Sequence, residues 1–122
     1  MPEELLPRFA RVPASEFGMG ADDGNEDERP EHRVHVDVFH ISIHTITNEQ
    51  YGEFVPTMGR RVPAVRELPL LVTADHEASY RELAAAYLWR DGEMPRDRAP
   101  HPVALVTYTD AAAYCAWLTT KI

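Results

Sequence analysis

The sequence predicts an α+β domain of low regularity. Short apolar–polar alternations cluster in the first third of the chain. Helix-start signatures stand at Thr47–Gln50 and, in weaker form, at Thr107–Asp110. Between them run acidic and proline-punctuated stretches that suit neither a helix nor a strand.

Taken in order, Phe9 to Val12 alternates and stops at Pro13, which predicts a short strand. Pro13-Ala14-Ser15 supplies a turn and Glu16 to Gly20 returns, so the two are expected to form a hairpin. Ala21 to Glu31 holds turn formers and acids with nothing to bury, and is expected as a loop. Val34 to Ile43 is the clearest strand. Its apolar side changes between Val38 and Phe39, because Val34, Val36 and Val38 share one face while Phe39, Ile41 and Ile43 share the other. Strand side chains alternate strictly, so the switch predicts either a bulge or a strand that leaves one core for another.

Thr47 as N-cap and Gln50 reaching back predict a helix carrying Tyr51, Phe54 and Val55, ended by Pro56. Arg60 to Leu71, with Pro63 and Pro69, reads as irregular. Glu77 to Trp89 is expected to be helical, with a stripe of Tyr80, Leu83, Ala84, Tyr87 and Leu88. Asp91-Gly92 is a turn, Glu93 to Pro102 a loop, and Val103 to Val106 a short buried strand. The last helix starts at Thr107 and is expected to turn Ala111, Ala112, Cys115 and Leu118 inward.

Charge and composition narrow the function. The chain has 122 residues, 44% of them hydrophobic and 26% charged, which is a globular balance and enough for one domain. Its net charge of −8 argues against nucleic acid and against an acidic membrane surface, both of which need a basic face. Lys121 is the only lysine beside eleven arginines, a bias expected from genome composition, although arginine would also serve planar carboxylate recognition. One cysteine allows no internal disulfide, and Met1 to Leu6 contains no apolar run, so the expected setting is soluble and cytoplasmic.

Site chemistry is sparse. His40 and His44 share a strand face but lie about 13 Å apart at strand rise, too far for one ion to reach both ligands. His32 and His35 would point to opposite faces, so histidines that face solvent or are hydrogen-bonded are the favoured reading. Asp75-His76-Glu77-Ala78-Ser79-Tyr80 approaches the H-E-x-x-H pattern of zinc peptidases, but Tyr80 stands where the second ligand is required. The acidic loop from Asp22 to Glu31 lacks the order of an EF-hand. Cys115 sits among alanines with no His or Lys implied nearby, and is expected to be a small core residue. No glycine-rich phosphate loop, G-x-S-x-G or carboxylate pair appears.

The order of segments carries more than any one motif. Val12-Pro13-Ala14-Ser15-Glu16-Phe17-Gly18-Met19-Gly20 resembles the I-P-A-G-x-F-x-M-G opening of the formylglycine-generating-enzyme (sulfatase-modifying-factor) family. Asp27-Glu28-Arg29-Pro30-Glu31-His32-Arg33-Val34 is similar to its D-E-x-P-x-H-x-V segment. Phe39-His40-Ile41 with Thr47-Asn48-Glu49-Gln50-Tyr51-Gly52-Glu53-Phe54 resembles its V-T-N-x-x-Y-x-x-F block. His101-Pro102-Val103, Val106-Thr107-Tyr108 and Asp110 to Leu118 resemble H-P-V-x-x-V-S-W-x-D-A-x-A-Y-C-x-W. Thr45-Ile46 replaces the usual Glu-Val, and Ser15 replaces a turn glycine.

The resemblance implies an incomplete formylglycine-generating-enzyme fold, C-type-lectin-like, with short irregular strands and two to three helices. Residues 1–122 would be the N-terminal portion of a single domain. The family's R-L-P-T-E-A-E-W-E and G-N-V-W-E-W segments have no counterpart here. Its copper-binding cysteine pair and calcium sites belong to that later part, and Cys115 matches the A-Y-C block instead. No catalytic, cofactor-binding or metal residue is therefore carried over, and copper, iron or calcium is expected only in a completed domain. The expected function is a binding or structural module that is non-catalytic alone. A partner chain or second copy would cover the helix face of Ala111, Cys115 and Leu118. The alternatives are the first part of a family oxidoreductase, of formylglycine-generating or iron-dependent sulfoxide synthase type, and a lectin-like recognition domain.

Overall fold

The computed structural model describes residues 3–66 and 72–122. The predicted irregular segment from Arg60 to Leu71 therefore lies partly outside the described residues; residues 60–66 have no regular structure, as expected. The chain divides into two compact units. One is Arg8–Ile43; the other is Met1–Pro7 with His44–Ile122. Strands and helices are both short and the class is α+β, as the sequence predicts.

Arg8–Ile43 contains four strands: β1 (Phe9–Val12), β2 (Ser15–Met19), β3 (His32–Val36) and β4 (Phe39–Ser42). The expected β1–β2 hairpin does not form. Instead β1 pairs antiparallel with β4, and β2 with β3. Two-residue hairpin turns need positive φ at their centre, and Pro13 is locked at negative φ, so Pro13-Ala14 cannot reverse the chain. Both ladders keep one register, because Val12 opposes Phe39 and Ser15 opposes Val36. Pro13-Ala14 and Asp37-Val38 therefore interrupt a ribbon that runs straight on. No residue bulges out at Val38, and the strand passes from one ladder to the other; Phe39, Ile41 and Ile43 are exposed, so the expected entry into a second core is not seen either.

The acidic loop closes on its own backbone. Ala21 N–H donates to the Glu28 carbonyl at 2.9 Å, Glu31 N–H to Asp22 Oδ1 at 3.0 Å, and Arg29 Nε–H to the Gly24 carbonyl at 2.9 Å. Gly20 turns into this loop at φ 85°. A Cβ there would strike the carbonyl oxygen of Glu28.

In the other unit, α1 (Asn48–Thr57) starts as predicted. Gln50 N–H donates to Thr47 Oγ1 at 3.2 Å, and Thr47 N–H to Gln50 Oε1 at 2.9 Å. Pro56 sits inside the last turn rather than ending the helix, which closes with Met58 N–H on the Phe54 carbonyl at 3.0 Å. Only the bond that a nitrogen at position 56 would have given is lost.

α2 (Glu77–Ala84) is shorter than predicted and tightens into a 3-10 turn at Ala85–Tyr87. The tighter turn takes Tyr87 off the expected stripe. Of that stripe only Ala84 is buried, while Leu83 is 76% exposed. Asp91-Gly92 forms the predicted turn, with φ 54° and 77°, and Arg90 and Glu93 exchange backbone hydrogen bonds across it.

Val103–Val106 is not a strand. Leu105 takes a φ of 62° that no strand tolerates. Val103 N–H donates to Ile46 O at 2.8 Å, and Ala64 N–H to Leu105 O at 3.2 Å.

α3 (Tyr108–Thr119) buries Asp110, Tyr114, Trp117 and Leu118. Of the face predicted to turn inward, only Leu118 does so; Ala111, Ala112 and Cys115 are exposed. The correction follows from area. Turning Tyr114 and Trp117 inward removes far more apolar surface from water than turning three small side chains. They meet Tyr51 and Phe54 of α1, with Phe54 edge-on to Tyr114 at 5.4 Å and Tyr114 5.7 Å from Trp117. Trp89 joins edge-on to Tyr51 at 6.2 Å, and its indole N–H donates to Asn48 Oδ1 at 3.3 Å. Among the described residues, no helix is long and apolar enough to cross a membrane.

Candidate functional site

All six histidines are exposed. Three make local contacts: His32 Nδ1 with Pro30 O at 2.9 Å, His35 Nε2 with Asp37 Oδ1 at 3.0 Å, and His76 Nδ1 with Thr73 Oγ1 at 2.9 Å. Among the described residues, no three of His, Cys, Asp and Glu come together as a metal-binding group. Cys115 is a free thiol and is exposed, which corrects the expectation of a core residue. Ala111, Ala112 and Ala116 are exposed too, while Ala113 is half-buried, so the helix turns the side bearing Cys115 outward.

The structure gathers its buried polar chemistry elsewhere, around Asp110. This carboxylate at the third position of α3 is 2% exposed. Oδ2 accepts from the Thr107 hydroxyl at 2.9 Å, and Oδ1 accepts from Arg60 Nη2 at 2.8 Å. Arg61 Nε–H bridges both oxygens at 3.3 Å. Burial pushes the Asp110 pKa up. Hydrogen bonds from Arg61, Thr107 and Arg60 overcome that and hold it at about 2, below its ordinary 3.8.

Five buried side-chain polar atoms have no protein partner among the described residues: Tyr51 Oη, Tyr114 Oη, Trp117 Nε1, Arg60 Nε and Arg66 Nη1. Burial raises the Tyr51 pKa, helped by Asp110 and opposed by Arg60, Arg66 and Arg61. Burial, with Cys115 and Tyr51 nearby, pushes Tyr114 up to about 12. Both phenols therefore stay protonated at neutral pH.

Sequence reasoning missed this cluster. Asp110 is legible as a cap, but a capping carboxylate that is also buried needs cations, and none stands near it in sequence. The pair Arg60-Arg61 was the available signal.

A separate open cleft of about 450 Å³ is lined by Leu88, Arg90, Glu93, Met94, Asp97 and Arg98 among others. The Arg98 guanidinium lies 4.9 Å from the Tyr87 ring centroid. Arginines and acids are mixed along this cleft, so its charge selects no single ligand class.

The pattern that defines the sulfatase-modifying factor enzyme 1-like domain matches residues 1–121. The serine/threonine-protein kinase Pkn1 of Chlamydia trachomatis serovar L2 is 28% identical over 126 residues, covering 96% of this chain and 18% of the kinase. The formylglycine-generating enzyme of Bos taurus is 29% identical, covering 95% of this chain and 36% of that protein. The inactive C-alpha-formylglycine-generating enzyme 2 of Mus musculus is 30% identical, covering 91% and 42%. The chain thus spans less than half the length of each of these relatives. PvdO from Pseudomonas aeruginosa shares the fold, with a TM-score of 0.61 and 24% identity over 94% of this chain and 40% of PvdO.

Proposed function

The chain belongs to the FGE-sulfatase family of sulfatase-modifying factor enzyme 1-like domains, and from that premise we propose that its 122 residues act as a binding and structural module, non-catalytic on their own. The observation that carries this reading is the Asp110 node. The most buried carboxylate has both oxygens committed to Thr107, Arg60 and Arg61, so it ties the start of α3 to residues 60 and 61 and keeps no free basic lone pair for proton transfer.

The relatives support it in a second way. One segment recurs in proteins named as a kinase, a formylglycine-generating enzyme and an inactive counterpart. What such differently named proteins share is more readily architecture than chemistry.

On this reading a partner chain or a second copy covers the uncharged outer side of α3, where Tyr108 is 89% exposed beside Ala111 and Cys115. The single unpaired thiol suits a reducing cytoplasm. Light scattering on the purified chain tests the proposal. The expected result is a mass above 13.8 kDa that falls to that value when Ala112→Arg places a charge on this face. A monomer that unfolds cooperatively and binds no apolar dye would count against it.

A second reading is favoured by the formylglycine-generating relatives, of which this segment covers 36% to 47%. Within a longer polypeptide the same module would frame an oxygen-dependent oxidoreductase that converts a peptide cysteine to formylglycine. Oxygen uptake would then belong to the longer polypeptide alone.

A further inference from the structure

We infer that the free edge of β2 takes up an extended peptide strand in which apolar and basic residues alternate. The sheet around β2 is unfinished. Among the described residues β2 pairs with β3 alone, and all five of its residues are exposed. Successive strand residues turn their backbone groups to opposite sides, so every second residue of β2 points its N–H and C=O away from β3. Two strands alone are marginal in water, and a third strand is the smallest stabilising addition. Natural edges are blunted by proline, lysine or a bulge, and Ser15–Met19 carries none of these.

The two sides of β2 set the pattern of its partner. Ser15, Phe17 and Met19 share one side, where Val36 and Val34 oppose the first two, and Phe17 and Met19 are about half exposed. An incoming strand covers them with apolar side chains at every second position. Glu16 and Gly18 share the other side. There the Glu31 carboxylate lies over Gly18, with Oε1 3.0 Å from where a Cβ on Gly18 would stand. Gly18 has no side chain in the way, so this carboxylate is within reach of the free edge. Arg33 holds Glu16 at 3.4 Å, while no cation among the described residues is paired with Glu31. A lysine or arginine opposite Gly18 supplies that charge, and another opposite Glu16 continues the alternation.

A second copy of β2 fits this edge less well. Antiparallel pairing about Phe17 would bring the partner's Glu16 opposite Gly18 and next to Glu31, and like charges across strands repel. The inference extends the binding-module reading to a further surface and does not need the one on α3. β2 belongs to the unit Arg8–Ile43 and α3 to the other, so a monomer in light scattering would leave it standing.

Residue-resolved amide exchange on the full chain tests the edge, with acetyl-Val-Lys-Val-Lys-Val-amide as the probe. Its lysines fall opposite Glu16 and Gly18 when its central valine opposes Phe17. Saturating probe is expected to slow, by about tenfold, the alternate amides of Ser15–Met19 that do not bond to β3. Glu31→Gln, a change at an exposed side chain, is expected to weaken the probe about threefold. Two control peptides separate order and charge from composition: Val-Val-Val-Lys-Lys and Val-Glu-Val-Glu-Val are expected to leave these amides unchanged. Should Glu31→Gln fail to fold, the controls still decide. Equal slowing by either control, no slowing by the probe, or equal affinity in wild type and folded variant would overturn the inference. So would β2 amides that gain protection without peptide as the chain is concentrated, which marks a second copy on the edge.

Discussion

Asp110 and Arg60 stand fifty residues apart in sequence and 2.8 Å apart in space, joining the start of α3 to the segment that follows α1. The carboxylate is almost fully buried, whereas the arginine side chain is about one-third exposed. That asymmetry sets what each partner's removal costs. Asp110→Ala removes the acceptor of five hydrogen bonds and leaves guanidiniums that solvent can partly rescue. Chemical denaturation is expected to show a loss of about 3 kcal/mol, the low end of the range for breaking a buried pair.

The same pair makes stability depend on acid. Asp110 has a folded pKa of about 2 against an ordinary value of 3.8, so the folded state holds its proton less tightly than the unfolded state. Its contribution, on the order of 2 kcal/mol, is fully present above pH 3.8 and is lost as pH falls toward 2. Denaturation midpoints measured between pH 5 and 2 are expected to fall less steeply in Asp110→Asn than in wild type.

The two helix caps are expected to differ in weight. Thr47→Ala removes one acceptor at the start of α1 and is expected to cost about 1 kcal/mol. Thr107→Ala also strips a hydroxyl donor from buried Asp110, so its cost is expected nearer 2 kcal/mol. Equal losses in urea melts would count against the Asp110 node as the stronger anchor.

Two glycines are expected to respond in opposite directions. An added methyl at Gly52, inside α1, would meet Trp89 and Met94 at ordinary contact distances of 3.7 and 4.0 Å. Gly52→Ala is therefore expected to raise stability by about 0.5–1 kcal/mol through helix propensity. Gly20 holds a positive φ with the Glu28 carbonyl in the way, so Gly20→Ala is expected to cost more than about 1 kcal/mol. Thermal melts of the two variants check both signs.

Local features of the fold were legible and non-local ones were not. The caps at Thr47 and Thr107 are written within four residues each, and both are present. The change of face at Val38 is visible in the sequence, yet its meaning rests on partners at Val12 and Ser15 that pattern alone cannot locate. The face of α3 was misread because small residues at helical spacing look like a stripe, while the two aromatics that decide burial, Tyr114 and Trp117, sit on another side. The adjacent pair Arg60-Arg61 hints at a buried acid, but nothing local joins it to Asp110, so the partner could not be read from either segment.

Whether this segment frames a family domain without performing its chemistry is decided by one assay. A cysteine-containing peptide is incubated with the folded 122-residue chain, oxygen and added copper or iron, and both oxygen uptake and peptide mass are followed. A non-catalytic module leaves uptake equal to the protein-free blank and the peptide unchanged. Oxygen uptake that depends on the chain, with the peptide's thiol converted to an aldehyde, would contradict it.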